Sequence, residues 1–175
     1  GKILVPFPLE SALSGVKKKL KRSQRLWYRH YFTIPESWKR KDLLLHFGAV
    51  DWETEVWVNG NLIGFHTGGY NPFSFEISSF LNEGLPNELR LAVYDPTNWS
   101  MHERGKQTLT PNTAFYTAVS GIWQTVWLEP VNKTRFDSLR MVPDIDKKTL
   151  NMFGIINKIS KIFSSLRKFY YLSYS

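Results

Sequence analysis

Cysteine is absent from this 175-residue sequence, which excludes a disulfide framework and a thiolate metal site. The absence says little about compartment, because large periplasmic and secreted domains often fold without disulfides; either compartment stays open. No apolar run is long enough to span a bilayer, so a membrane is not expected as a partner. The sequence opens Gly1-Lys2-Ile3-Leu4-Val5-Pro6, with no charged segment followed by an apolar stretch. It is therefore expected either to start inside a longer chain or to have lost a leader. Internal repeats are missing. The four histidines, His30, His46, His66 and His102, show no close ligand spacing, so no metal site is expected. Gly68-Gly69 lacks the following helix of a phosphate loop, and Ser120 lies outside any Gly-x-Ser-x-Gly elbow, so no cofactor is expected either.

Aromatic residues, by contrast, are abundant: seven Trp, eight Tyr and twelve Phe, 15% of the chain. Trp and Tyr combine a flat apolar face with a polar edge, which suits sandwich cores and sugar rings alike. The formal charge of +8 is unevenly placed. Residues 1–131 hold 14 Lys/Arg against 12 Asp/Glu, and residues 132–175 hold 9 against 3. Six of the former, Lys17, Lys18, Lys19, Lys21, Arg22 and Arg25, form a single run. The remainder of the body is mildly acidic, with a basic loop and a basic tail attached. Nucleic acid is not expected as a partner, since that would need basic residues spread over one face of the fold.

Short β-type segments separated by turn signals dominate residues 26–128. Residues 26–34 are aromatic-rich and end at Pro35. Residues 43–50 are apolar. Residues 53–58 alternate, placing Thr54, Val56 and Val58 on one face. Asn59-Gly60 predicts a tight hairpin returning through residues 61–65. Residues 73–77 and 88–94 alternate again, the latter with Leu89, Leu91 and Val93 together, and residues 78–81 read as a short helical turn. Residues 95–121 form a long polar loop of the kind that is usually functional or disordered, and residues 122–128 read as a last strand. With no helical crossover pattern, the fold class is all-β, an antiparallel sandwich. Residues 135–142 predict one further strand. Beyond about Asn151, Ile155, Ile156, Ile159, Ile162, Phe163 and Leu166 fall at helical spacing between basic residues, a basic amphipathic tail.

Two segments carry more than pattern. Phe47-Gly48-Ala49-Val50-Asp51-Trp52-Glu53-Thr54-Glu55-Val56-Trp57-Val58-Asn59-Gly60 runs on through Gly68-Gly69-Tyr70 to Pro72-Phe73. Ser120-Gly121-Ile122-Trp123-Gln124-Thr125-Val126-Trp127-Leu128-Glu129 is the second. With the lead-in from Val5 to Val16 and the strand Leu26-Trp27-Tyr28-Arg29, they resemble the N-terminal sugar-binding domain of glycoside hydrolase family 2, the β-galactosidase, β-glucuronidase and β-mannosidase group. The resemblance implies a galactose-binding-domain-like jelly roll over residues 1–131 and the start of an immunoglobulin-like domain over residues 132–150. The tail, 151–175, matches no part of the family. The implied partners are a carbohydrate and the parent chain's immunoglobulin-like and (β/α)₈ barrel domains.

Retaining glycosidases need two carboxyl groups about 5 Å apart, and in family 2 both are barrel glutamates, so no catalytic residue is expected here. Glu53 and Glu55 share a strand face at about 6.6 Å between Cα atoms, and an exposed face explains them. The resemblance points instead to sugar-binding candidates: Asp51 and Trp52 at one corner, Asp95, Arg104, Lys106 and Gln107 on the long loop, and Tyr116 and Trp123 beside the Val119-Ser120-Gly121 turn. Carboxylates, amides and cations bind sugar hydroxyls, and aromatic faces cover the C–H surface. Asp51 stands where the β-galactosidase branch commonly has Asn, which keeps an acceptor, removes a donor and adds charge; it reads equally as a turn cap. Trp123 reads equally as core. The expected role is a non-catalytic domain of a retaining β-galactosidase-like enzyme, inactive alone. A free-standing carbohydrate-binding module and a purely structural docking domain are the alternatives.

Overall fold

The computed structural model describes residues 1–157 and 169–174. Two units divide the chain, Gly1–Pro130 and Val131–Ser175. In the first, the strands are β1 (Leu26–Phe32), β2 (Asp42–Phe47), β3 (Val50–Asp51), β4 (Glu53–Val58), β5 (Asn61–Thr67), β6 (Phe73–Glu76), β7 (Asn87–Tyr94), β8 (Gln107–Thr108), β9 (Tyr116–Thr117), β10 (Gly121–Ile122) and β11 (Val126–Val131). One sheet has the order β1-β7-β4-β5, and its pairings are antiparallel. A second has the order β11-β2-β6, with β10 paired to β3 beside it. This is the all-β antiparallel sandwich that the strand pattern predicts, in the jelly-roll form that the resemblance implies.

Alternation decides which face of each strand is buried. Along β4, Thr54, Val56 and Val58 are fully buried while Glu53, Glu55 and Trp57 are half-exposed. Along β7, Leu89, Leu91 and Val93 point to the core and Arg90 does not. They meet Leu43, Leu45, Phe47, Ile77 and Ile122 from the other layer in one apolar core. Removing such a set from water is the main favourable term in folding. The Asn59-Gly60 hairpin forms as expected: both residues take positive φ, 49° and 82°, and Val58 pairs with Asn61. Asn59 also anchors the turn, its amide donating to Phe80 O and Asn87 Oδ1 and its carbonyl accepting from Glu88 N.

Two expected strands are broken. Residues 43–50 split at Gly48-Ala49 into β2 and β3, and residues 122–128 split at 123–125 into β10 and β11. The breaks face each other: Gly48 N donates to Thr125 O at 2.9 Å, and Trp123 N donates to Ala49 O at 3.3 Å. Both segments kink at one level, joining the β11-β2-β6 sheet to the β3-β10 pair, a feature local β-propensity does not encode. Within the long loop, β8 and β9 pair in parallel.

In the second unit, β12 (Phe136–Asp144), β13 (Thr149–Ile156) and β14 (Phe169–Tyr174) form a sheet in that order. Ile155 and Ile156, expected at helical spacing, lie in β13, where Ile155 pairs with Ser138 and Phe169. Their neighbouring apolar side chains suit a strand flanked on both sides. The rest of that run, residues 158–168, lies outside the described residues.

Candidate functional site

The kink delivers Asp51 to the end of β3, opposite Gly121 in register. β7 delivers Asp95 just past its end, and the parallel β8–β9 pair turns Gln107 inward, 4% exposed, and Tyr116 outward, 50% exposed. The result is a buried polar knot. Gln107 Nε2 donates to Asp51 Oδ2 at 3.1 Å, and Gln107 Oε1 accepts from Val119 N at 2.6 Å. Asp95 accepts from Thr97 N at 2.6 Å and from Ser120 Oγ at 2.7 Å. Ser120 N in turn donates to Glu10 Oε2 at 2.9 Å. His102 closes the knot, its ring 5.0 Å from that of Trp52 and its Nε2 3.8 Å from Asp95 Oδ1.

Burial sets the electrostatics. Asp51 is 2% exposed. Burial first, and then the Asp95 carboxylate, push its pKa up to about 7, against the opposing hydrogen bond from Gln107; Glu103 and Glu10 add to the rise. Burial also raises Glu10, although Ser120 donates to it. His66, stacked on Phe73, is lowered by burial.

Gly69 lies over the knot. Its N–H donates to Glu103 Oε1 at 3.2 Å, and its carbonyl accepts from Trp123 Nε1 at 2.8 Å. A Cβ there would sit 2.5 Å from Asp51 Oδ1 and 2.8 Å from its Cγ, so this position admits no side chain unless the knot moves. Gly69→Ala is expected to cost about 1–3 kcal/mol, the range for overpacking a filled site. Urea titration checks this, and an unshifted midpoint would show that the knot yields freely.

Above Gly69 is an aromatic rim. Tyr70 meets Trp123 edge-on at 5.9 Å. Tyr116 OH accepts from Lys106 N at 3.2 Å. A Cβ on Gly105 would lie 2.7 Å from Tyr116 OH and 3.6 Å from Tyr70 OH, so both hydroxyls converge there. Tyr70 and Tyr116 are exposed and Trp123 is half-buried.

The sequence candidates therefore divide in two. Asp51, Asp95 and Gln107 lie together in the buried knot, with Trp52 packed against its histidine. Lys106, Tyr116 and Trp123 lie in the rim. Arg104 folds back within its loop, Nη1 donating to Ser100 O at 3.4 Å. Part of the basic run reaches the same loop: Lys19 Nζ donates to Leu109 O at 2.6 Å, and the Arg22 guanidinium covers Trp99 at 4.2 Å. Sequence reasoning missed Glu10, Gly69, Tyr70 and Ser120. Their partners lie 25 to 110 residues away, and no spacing rule signals that. Nor does any spacing signal that His102 comes within 4.8 Å of ligand atoms of Asp51 and Asp95. Glu53 and Glu55 are both held by Arg25, at 3.4 and 2.8 Å. A groove of about 570 Å³, lined by Ile3, Trp27, Tyr28, Leu89 and Ile122 among others, includes none of the sugar candidates.

Residues 5–131 match the family model described as glycosyl hydrolases family 2, sugar binding domain. The β-galactosidase of Thermoanaerobacter pseudethanolicus is 32% identical over 120 residues, 67% of this chain and 15% of that protein. The β-glucuronidase of Paenibacillus borealis is 27% identical over 110 residues, 61% of this chain and 17% of that protein. The crystal structure of Bacteroides uniformis β-glucuronidase superposes with a TM-score of 0.59 at 30% identity, covering 74% of this chain and 16% of that one. The chain thus spans less than a fifth of the length of these relatives.

Proposed function

The chain belongs to glycosyl hydrolase family 2 through its sugar-binding domain, and from that premise we propose that it is a non-catalytic wall of a β-glycosidase active site. The observation that carries this reading is the division between knot and rim. Asp51 and Asp95 are close enough for a carboxylate pair, but they are 2% and 1% exposed, and Gly69 covers Asp51. A glycosidic oxygen cannot reach them. The rim, with the faces of Tyr70, Tyr116 and Trp123 and the exposed Lys106, offers what a sugar needs: an apolar surface for C–H groups and polar atoms for hydroxyls. In this reading Asp51, Asp95 and Gln107 position the rim and do not touch the sugar.

The parent is a retaining β-glycosidase of β-galactosidase type, with its catalytic carboxylates on a (β/α)₈ barrel. Residues 1–131 form the sugar-binding domain, residues 132–150 open an immunoglobulin-like domain, and residues 151–175 stand outside the family pattern. The test is to incubate the pure chain with chromogenic β-galactoside and β-glucuronide, and to titrate it with galactose, glucuronate and mannose. The expected result is no turnover and no binding at millimolar sugar. Turnover would overturn the reading, and millimolar or tighter binding would favour a free-standing module.

A further inference from the structure

His102 is the odd member of the knot. Its side chain is 2% exposed, yet neither ring nitrogen has a hydrogen-bond partner among the described residues. Asp51 Oδ1 is likewise buried without a partner among the described residues. The three side chains converge: one ligand atom from each of Asp51, Asp95 and His102 lies within 4.8 Å of the others. Buried polar groups of native proteins are almost always satisfied, so three converging groups with two of them orphaned call for a ligand between them. The 3.8 Å from His102 Nε2 to Asp95 Oδ1 is too long for a hydrogen bond. It is close to the roughly 3.3–3.5 Å that separates two ligands on a tetrahedral ion with bonds near 2.0–2.1 Å.

We propose that Asp51, Asp95 and His102 form a binding site for a divalent cation of the zinc class. Two carboxylates balance its charge. The imidazole nitrogen favours a first-row transition ion over Mg²⁺ or Ca²⁺, which take oxygen ligands. The carboxylates are already held in place: Gln107 Nε2 donates to Asp51 Oδ2 and leaves Oδ1 without a partner among the described residues, while Asp95 accepts from Ser120 Oγ at Oδ2 and from Thr97 N at Oδ1, which lies 3.8 Å from His102 Nε2. Such outer contacts orient metal ligands. The three ligands come from β3, the end of β7 and the long loop, so the ion ties the loop to the sandwich beneath the rim. The proposal does not depend on the sugar-site reading.

The test uses the full 175-residue chain, stripped with EDTA and then titrated with ZnCl₂ or MgCl₂, with bound metal counted by mass spectrometry after dialysis. One Zn²⁺ per chain is expected, with a rise in melting temperature that Mg²⁺ does not give. His102→Ala should weaken Zn²⁺ binding at least about 100-fold, beyond the range for an outer contact. His46→Ala should leave it unchanged, since His46 bonds Ser74 and Glu129 elsewhere. Should His102→Ala fail to fold, Co²⁺ in the unaltered chain reads the ligands directly, an intense visible band marking a four-coordinate site. Zinc washing out on dialysis, binding unaffected by His102→Ala, or no Co²⁺ band would overturn the site and leave a histidine that merely pairs with two carboxylates.

Discussion

Phe47→Ala is expected to lower the stability of the sandwich by about 3–5 kcal/mol, the range for a large side chain deleted from a packed core. Phe47 ends β2, is fully buried, and stacks on its cross-strand partner Phe73 at 4.7 Å. Phe73 stacks in turn on His66 at 4.1 Å and meets Phe75 edge-on at 5.7 Å. Truncation leaves a cavity that β-strands cannot collapse to fill, because the ladders fix the backbone on both sides. The position is also the last before the Gly48-Ala49 kink, so lost packing there loosens the path that delivers Asp51. Since a domain of this size is stable by only about 5–15 kcal/mol, the loss is a large fraction of the whole. Urea titration at constant slope reads it. Phe65→Ala is the contrast: Phe65 is 76% exposed on β5, and its loss is expected to stay within about 0.5 kcal/mol. Equal shifts for the two variants would show that the core is not where these residues place it.

The same contrast explains what is legible in the sequence. Leu89, Leu91 and Val93 are readable because a strand has period two and one face must be apolar; burial then follows from local pattern alone. Asn59-Gly60 is readable because few residues tolerate positive φ. The kinks at Gly48-Ala49 and at 123–125 are not, because each exists through the other, by hydrogen bonds across some 75 residues. The knot escapes for the same reason. Asp51 and Gln107 both stand out in the sequence, but nothing there says that their side chains bond each other in the interior. Ile155 and Ile156 mislead in the opposite direction: their helical spacing depends on residues further along, while the sheet pairs them with Ser138 and Phe136. The family resemblance locates the fold and the corner, and the side-chain geometry divides that corner into a buried support and an exposed rim.

In chelator-treated protein, Asp51→Asn is expected to stabilise the chain at pH 8 and to leave it nearly unchanged at pH 4. The Asp51 pKa rises from 3.8 unfolded to about 7 folded, so the folded chain holds this proton more tightly than the unfolded one. The stabilisation is fully present below about pH 4 and is lost as pH climbs through 7. At 1.36 kcal/mol per unit, the largest effect is about 4 kcal/mol. Asp51 is 2% exposed, so water does little to screen it. The groups facing it are Asp95 beyond β7, Glu103 and His102 on the loop, and Glu10 from the N-terminal segment. The three carboxylates oppose its ionisation, and a protonated His102 would favour it. Glu10 is itself raised by burial and tilts stability the same way, which makes the difference between wild type and variant the informative quantity. An asparagine carbonyl keeps the acceptor for Gln107 Nε2, so the low-pH comparison isolates the charge. Urea midpoints at pH 4, 6 and 8 measure it: the two curves should meet at low pH, separate from about pH 4 and run parallel again above about pH 7. Curves parallel throughout would mean that Asp51 ionises freely. Chelation matters because a cation on Asp51 would replace the proton, and ligation needs the ionised carboxylate, so added Zn²⁺ should reverse the slope.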